Sequence, residues 1–179
     1  MSVHIAIDGY NLIGISSGIG NRRDIEEARN RLVQRLADYR KIKSAKANRS
    51  HKITVVFDGT QSGKLDRSRE IISGIEVIFS RGGEQADLVL KEMAKNKREG
   101  LTLVTSDRDV ANYSRNHGAI VVSSEEFEEL LEMAAYEDMK GVDAEEEKDM
   151  PGYETSAKKG PARRLPKDER RKLKRIKKL

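Results

Sequence analysis

The sequence of 179 residues contains no cysteine, no tryptophan and only three histidines. Without cysteine there is no disulfide, no thiolate metal site and no cysteine nucleophile. Three scattered histidines also make a zinc site an unfavourable interpretation. Aromatic residues make up 4% of the chain, which argues against stacking of nucleobases on aromatic side chains as the main mode of binding. The chain has no apolar run long enough to cross a bilayer, so we expect no membrane partner.

The amino-terminal residues lack the features of a secretory signal. The first segment, MSVHIAIDGYN, has no basic region, no long apolar stretch and no small-residue cleavage site. Together with the absence of cysteine, this predicts a cytoplasmic protein. Any catalysis or ligand binding by such a chain would use the oxygen and nitrogen atoms of its side chains.

Charge is distributed unevenly along the chain. The formal net charge is +5, but residues 158–179 hold 12 Lys and Arg against 2 Asp and Glu, a balance of +10. Residues 1–157 hold 23 basic and 28 acidic residues, a balance of −5. A mildly acidic body with a strongly basic end is typical of a protein whose end binds a polyanion.

Short apolar runs alternate with segments of helical periodicity. Buried strands are predicted over 3–7, 53–57, 75–79, 101–105 and 119–122, and helices over 24–47, 84–97, 107–116 and 123–136. The glycine-rich stretch after residue 8 and the polar stretch 60–70 are predicted to be loops. Strands that are apolar throughout, without alternation, indicate a parallel sheet buried on both faces. The predicted fold class is therefore α/β, a three-layer α/β/α sandwich with a mostly parallel central sheet.

Composition predicts where this domain ends. We assign residues 1–137 to the domain and 138–179 to an acidic linker and a basic tail. The tail is rich in Lys, Arg, Gly and Pro and cannot bury enough apolar surface to offset its ordering entropy, so we expect it to be disordered when free. Two capping boxes are predicted at helix starts, one formed by Ser123 with Glu126 and the other by Ser106 with Asp109.

Four acidic residues are predicted to meet at one edge of the sheet. Asp8, Asp58 and Asp107 each follow a strand, and Asp87 lies in the first turn of the helix after another strand. Ligands of open parallel sheets bind in the crevice outside the carboxyl ends of the strands. Carboxylates gathered there repel one another unless a cation compensates them, and oxygen ligands favour Mg²⁺ or Mn²⁺. Such ions can activate a water and hold a phosphodiester for in-line attack.

Each acid also has a purely structural interpretation. Asp8 and Asp58 each precede a glycine, as turn residues do, and Asp87 and Asp107 could simply favour a helix dipole. Asp109 could serve only as part of a capping box. Both interpretations stay open at this point.

Four motifs occur in order: DGYN at 8–11, VVFDG at 55–59, GGEQADLVL at 82–90 and TSDRD at 105–109. With them the chain resembles the NYN domain family, in particular its bacterial YacP-like group, within the PIN-like nuclease superfamily. The resemblance covers about residues 3–135 and leaves the acidic and basic segments outside. It implies a metal-dependent endoribonuclease with an α/β/α sandwich, acting on RNA that can be associated with the ribosome.

The resemblance also implies roles for particular residues. It implies catalytic roles for Asp8, Asn11, Asp87, Asp107 and Asp109. It implies carboxylate ligands for Mg²⁺ or Mn²⁺ at Asp8, Asp58, Asp87 and Asp107. The acid at position 58 belongs to the YacP-like group, whereas other NYN branches lack it. For Asn11, a residue that only shapes the turn is the structural alternative.

The resemblance makes RNA the expected polyanion for the basic end. Basic side chains that neutralise phosphates release counterions and add salt-dependent affinity. We therefore predict RNA contacts from Lys158, Lys159, Arg163, Arg164, Arg170, Arg171, Lys172, Lys174 and Arg175. The alternatives for this segment are a solvated end that aids solubility and a segment that binds an anionic membrane surface. For the whole chain, the alternative is a non-catalytic RNA- or ribosome-binding module, and a homodimer is an open option.

Overall fold

A computed structural model describes residues 3–17, 22–47, 51–59 and 66–143 of the chain. Its strands are β1 (Val3–Asp8), β2 (His51–Phe57), β3 (Ser68–Ile72), β4 (Ile75–Phe79), β5 (Leu101–Val104) and β6 (Ile120–Val122). Its helices are α1 (Gly9–Ser17), α2 (Arg22–Ala47), α3 (Ala86–Lys97), α4 (Arg108–Asn116) and α5 (Ser124–Asp143). The basic residues predicted to contact RNA lie outside the described residues.

The strands form one sheet in the order β3-β4-β2-β1-β5-β6. Every neighbouring pair is parallel except β3 with β4, which is antiparallel. Helices α1, α2 and α5 contact one another on one face, and α3 packs with α4 on the other. The predicted three-layer α/β/α sandwich with a mostly parallel sheet is confirmed.

Burial on both faces explains why the strands are apolar throughout. All six residues of β1 are buried. Ile5 and Ile7 belong to the core cluster under α2 and α5, whereas Ala6 belongs to the cluster under α3 and α4. Because successive strand residues point to opposite faces, each face needs its own apolar residues. The central strand therefore has room for few polar groups, and these lie near its ends.

The segment after Asp8 is a helix, so its prediction as a glycine-rich loop was wrong. Leu12 and Ile13 of α1 are buried in the core, and this burial outweighs the low helix propensity of glycine. Gly9 is required by packing, because a Cβ at this position would lie 2.3 Å from Cε1 of the Phe57 ring. A Cβ at Gly14, in contrast, would meet nothing within 4 Å.

Part of the predicted loop 60–70 is also wrong, since residues from Ser68 onward form the edge strand β3. Its side chains are mostly exposed, so the strand lacks the apolar run that identifies a buried strand. A two-residue turn joins it to β4, with Ser73 at φ 50° and Gly74 at φ 81°. Positive φ at both central residues is the type I′ geometry of tight hairpins. The Ser-Gly dipeptide was the available sequence signal.

Of the two predicted capping boxes, one is confirmed and the other is wrong. Ser123 N–H donates to Glu126 Oε2 at 2.9 Å, and Glu126 N–H donates to Ser123 Oγ at 3.1 Å, as in a capping box. At α4 the cap is Asp107 and not Ser106, since Asp107 Oδ1 accepts from Val110 N–H at 2.9 Å.

Helix α5 continues to Asp143, beyond the predicted end near residue 136. No helix within the described ranges is long and apolar enough to span a membrane.

Candidate functional site

The topology brings the predicted acids to one edge of the sheet. Strand β1 lies between β2 and β5, and all three are parallel. Asp8 ends β1, Asp58 follows β2, and Asp107 lies in the loop after β5. Helix α3 connects β4 to β5 and carries Asp87 in its first turn. The chain passes from β1 to β2 on one side and later returns to β5 on the other, which is the switch point where such sheets bind ligands.

Asp8 is the most buried of these acids, with 8% of its surface exposed. Its Oδ1 accepts from Asn11 N–H at 3.2 Å, and its Oδ2 accepts from the Thr105 hydroxyl at 3.3 Å. Burial, together with the charges of Asp87 and Asp107, raises the pKa of Asp8 to about 6, and these two hydrogen bonds oppose the rise. A carboxylate held in this way has an unfavourable charge that a cation would stabilise.

Asp87 belongs to the same electrostatic cluster. Burial raises its pKa, and the charges of Asp107, Asp109 and Asp58 act in the same direction, while Lys91 opposes them. The predicted acids thus interact with one another across three strands and one helix. This mutual repulsion indicates a place for positive charge at the edge of the sheet.

Asp107 caps a helix and also contributes its charge to the acid cluster. Its side chain caps α4 through Val110, and its N–H donates to the Thr105 hydroxyl at 3.1 Å. Since the same hydroxyl donates to Asp8, Thr105 links the two acids. The cap holds Asp107 in place, while its charge raises the pKa values of Asp8 and Asp87.

Asp109, in the first turn of α4, pairs with a cation on α3. Its side chain is 81% exposed and forms an ion pair with Lys91. The hydrogen bond to Asp109, together with the charges of Asp87 and Asp107, raises the pKa of Lys91. Sequence analysis missed Lys91, although it lies one helical turn after Asp87 on the same face of α3. The side chain of Lys91 therefore supplies a protein cation beside the acids.

Asn11 connects the acidic edge to two other segments. Its Oδ1 accepts from Ser106 N–H at 3.0 Å and from the Ser124 hydroxyl at 2.6 Å. The loop before α4 and the start of α5 are thus held against the turn after β1. These contacts make Asn11 a positioning residue. The alternative, that Asn11 only shapes the turn after β1, does not account for them.

A second cation lies where β2 and β4 end. The Arg29 guanidinium on α2 is 5.1 Å from the ring centroid of Tyr10, 5.6 Å from that of Phe57 and 5.4 Å from that of Phe79. It also donates to the Tyr10 hydroxyl. Burial lowers the pKa of Arg29. Helical periodicity in the sequence could not show this cluster, because it depends on four separate elements.

The acids do not form a closed metal cage. Within residues 3–17, 22–47, 51–59 and 66–143, no three His, Cys, Asp or Glu side chains are close enough to hold an ion together. Mg²⁺ commonly keeps several waters and is bound through one or two carboxylates. The donor set, centred on the buried Asp8, therefore fits a hydrated Mg²⁺ or Mn²⁺ and does not fit a tightly enclosed ion.

Comparison with known proteins agrees with the fold. The chain matches the YacP-like NYN domain over residues 5–178, a range that includes the basic segment. It resembles crystal structures of Rae1 (YacP) from Bacillus subtilis. One, of a tryptophan-to-leucine variant, is 23% identical, with a TM-score of 0.61 over 82% of this chain and 85% of that chain. Another is 25% identical, with a TM-score of 0.58 over 80% of this chain and 81% of that chain.

A search of curated proteins finds no match for the chain. The match to the domain family nevertheless spans nearly the whole sequence, and the sheet, its switch point and the ordered motifs agree with it. The protein therefore belongs to the YacP-like NYN domain family and has a nuclease-like fold.

Proposed function

We propose that this protein is a metal-dependent endoribonuclease. The observation that supports this most directly is the buried Asp8, whose charge interacts with those of Asp87 and Asp107 at the switch point of the sheet. A cluster of this kind is stabilised by a divalent cation and lies where open α/β sheets bind their ligands. Membership of the YacP-like NYN family makes RNA the substrate class to test first.

The residues available to bind Mg²⁺ or Mn²⁺, directly or through waters that the ion keeps, are Asp8, Asp87 and Asp107, with Asp58 contributing from the neighbouring strand. When bound, such an ion lowers the pKa of a water and stabilises charge on a phosphodiester. The Thr105 hydroxyl and Asn11 N–H orient the Asp8 carboxylate, so its oxygens have fixed directions.

Other residues of the site act through position and charge. Asn11 holds the loop that carries Asp107, and it fixes the start of α5 against the same turn. Lys91 pairs with Asp109 and carries a positive charge next to Asp87. We infer that Lys91 turns toward a phosphate oxygen when substrate is present, with Asp109 as its partner when substrate is absent.

RNA binding outside the acid cluster is assigned to the basic segment. Its residues from 158 to 175 would neutralise phosphates and supply affinity without sequence specificity. This complements a body of net charge −5, which by itself repels RNA. Ribosome-associated RNA is the substrate that we propose within this class.

The proposal is tested by incubating purified protein with mixed cellular RNA in Mn²⁺, in Mg²⁺ and in EDTA. We expect cleavage only with a metal ion, and products with 3′-hydroxyl and 5′-phosphate ends. The variant Asp8→Asn/Asp87→Asn should lose cleavage. The control Asp38→Asn removes an exposed acid of α2 and should retain it. Products with a 2′,3′-cyclic phosphate would contradict metal-activated water as the nucleophile.

A second candidate function is a non-catalytic RNA- or ribosome-binding module. It is favoured by one observation, namely that the described residues include no three carboxylates close enough to share an ion. The cleavage assay repeated with ribosomes distinguishes the two. If folded protein binds RNA but cleaves nothing with either metal, with or without ribosomes, the module is correct and the nuclease is wrong.

A further inference from the structure

A second concave surface lies between α3 and the β4–β3 side of the sheet. Its volume is about 590 Å³, which is within the range of sites that bind small molecules or parts of larger ligands. Ile78 of β4 and Val89 and Met93 of α3 give it an apolar wall. Among the described residues α3 packs mainly over β1, β2 and β5, and it reaches β4 through the contact of its apolar side chains with the cluster that contains Ile78. We call this surface the α3 groove.

A buried chain of hydrogen bonds lies at one end of the α3 groove. The Thr54 hydroxyl donates to Glu76 Oε2 at 2.6 Å and lies 2.9 Å from His4 Nε2. Because the single Thr54 proton is used on Glu76, His4 must donate from Nε2. Burial, with help from Lys97 and Lys52, lowers the pKa of His4 to about 4. The ring is therefore neutral at pH 7, and its Nδ1 carries a lone pair that can accept a hydrogen bond.

Cations line the rim of the groove at this end. Lys52 Nζ lies 3.1 Å from Glu76 Oε2, and Arg69 Nε lies 3.4 Å from Glu76 Oε1. One carboxylate thus faces two cations, and hydrogen bonds and positive charge around it lower the pKa of Glu76 although burial opposes this. The side chains of Lys52 and Arg69 are 53% and 69% exposed, so both can reach a ligand. Lys97 lies at the same end and adds a further positive charge.

The other end of the groove is held by Arg67. Its guanidinium donates to Glu84 at 2.6 and 2.8 Å and to Glu92 at 2.8 Å. Glu84 is buried, so this pair anchors the start of the hairpin to the loop before α3. Glu92 is 54% exposed and places a negative charge on the rim. The groove therefore has more basic than acidic side chains. One of its acidic residues, Glu92, is exposed and can be replaced in an experiment.

We propose that the α3 groove binds a stretch of single-stranded RNA that leads to the acid cluster. Phosphates would contact Lys52, Arg69 and Lys97, and a ribose hydroxyl or base N–H would donate to His4. Helix α3 connects the two surfaces, since Asp87 lies in its first turn and Lys97 is its last residue, about 15 Å apart along the axis at 1.5 Å per residue. A few nucleotides of extended RNA cover that distance. The inference rests on the proposed function for its choice of RNA, and it adds a binding surface outside the carboxylates.

The test measures binding of a fluorescent single-stranded RNA to the full-length chain by anisotropy, in EDTA so that no cleavage occurs. The groove variant Lys52→Ala/Lys97→Ala should weaken binding and flatten the plot of log affinity against log salt by about 1.4, at ~0.7 per phosphate contact. The matched control Lys41→Ala/Lys95→Ala removes the same charge from exposed positions outside the groove and should change the slope far less. The basic segment contributes equally to both variants.

A second variant gives a gain of function, which misfolding cannot imitate. Glu92→Gln removes the exposed acid of the rim and frees one nitrogen of Arg67, so we expect tighter RNA binding and a steeper salt dependence. The control Glu132→Gln removes an exposed acid of α5 on the other face of the sheet and should leave the salt dependence unchanged.

The outcomes separate this inference from the nuclease. If the groove variants bind RNA with the same affinity and salt dependence as their controls, the proposed RNA binding by the α3 groove is wrong. Metal-dependent cleavage by the same protein would still support the proposed nuclease activity. If the groove variants behave as expected but neither metal ion supports cleavage, the α3 groove is part of a non-catalytic binding module. The proposed nuclease activity is then wrong.

Discussion

Replacing Asp8 by Asn should stabilise the metal-free protein at neutral pH while abolishing cleavage. Asp8 is buried and has its pKa raised from 3.8 to about 6. The folded state therefore holds the Asp8 proton more tightly than the unfolded state does. The stability that this provides is complete below about pH 3.8 and is lost as the pH rises through 6. At pH 7 the ionised carboxylate destabilises the fold, and asparagine removes that charge.

The expected size follows from the pKa. The rise of the Asp8 pKa from 3.8 to about 6 corresponds to about 3 kcal/mol at pH 7, because a tenfold change in proton affinity is worth ~1.36 kcal/mol. Asparagine has one carbonyl oxygen, so the donors Thr105 and Asn11 cannot both keep their acceptor, and one lost hydrogen bond costs about 1 kcal/mol. The net gain is about 2 kcal/mol, which raises Tm by roughly 4–8 °C for a chain of this size.

The assay is thermal unfolding of both proteins in EDTA from pH 4 to pH 8. His4, whose pKa is lowered to about 4, changes stability in the opposite direction over this range, but it is present in both proteins. The difference between them therefore reports on Asp8 and on its charge interactions with Asp87 and Asp107. We expect that difference to grow from pH 4 to pH 7. An Asp8→Asn protein that is less stable at pH 7, or a difference that does not change with pH, would refute the reasoning.

Further predictions concern packing and caps. Gly9→Ala should lower the free energy of unfolding by about 1–3 kcal/mol because the added Cβ overlaps Phe57. Gly14→Ala should raise the free energy of unfolding by about 0.5–1 kcal/mol. Urea titration of both variants measures these two changes. Ser123→Ala should cost about 1 kcal/mol through the lost cap of α5, measured in the same way. Asn11→Ala leaves two donors without their acceptor and should cost about 1–3 kcal/mol, with loss of cleavage. An Asn11→Ala protein of unchanged stability would show that this link is not needed for folding.

The elements that sequence predicted well are those whose signal lies within the element. Buried strands such as β2 are apolar throughout because both faces are covered, and the Ser123–Glu126 box pairs residues three apart. The predicted convergence of Asp8, Asp87 and Asp107 needed only the rule for carboxyl ends of parallel strands. Their electrostatic interaction in the structure agrees with that expectation.

The elements that sequence missed depend on partners far away in the chain. Helix α1 forms because Leu12 and Ile13 reach the core, which no local pattern of glycines reveals. Strand β3 depends on pairing with β4 and has little apolar surface of its own. The partners of Lys91 and Arg67 come from other segments, so their roles appear only once the chain is folded.

Helix α3 carries opposite charges at its two ends. Asp87 lies in its first turn, and Lys95 and Lys97 lie in its last. This order also matches the helix macrodipole, for which charges of the correct sign contribute about 0.3–1 kcal/mol each. Asp87 and Lys97 thus stabilise the helix and also give its ends affinity for ligands of opposite charge. A substitution at either end changes both properties at once, so a loss of binding there has to be compared with the accompanying loss of helix stability.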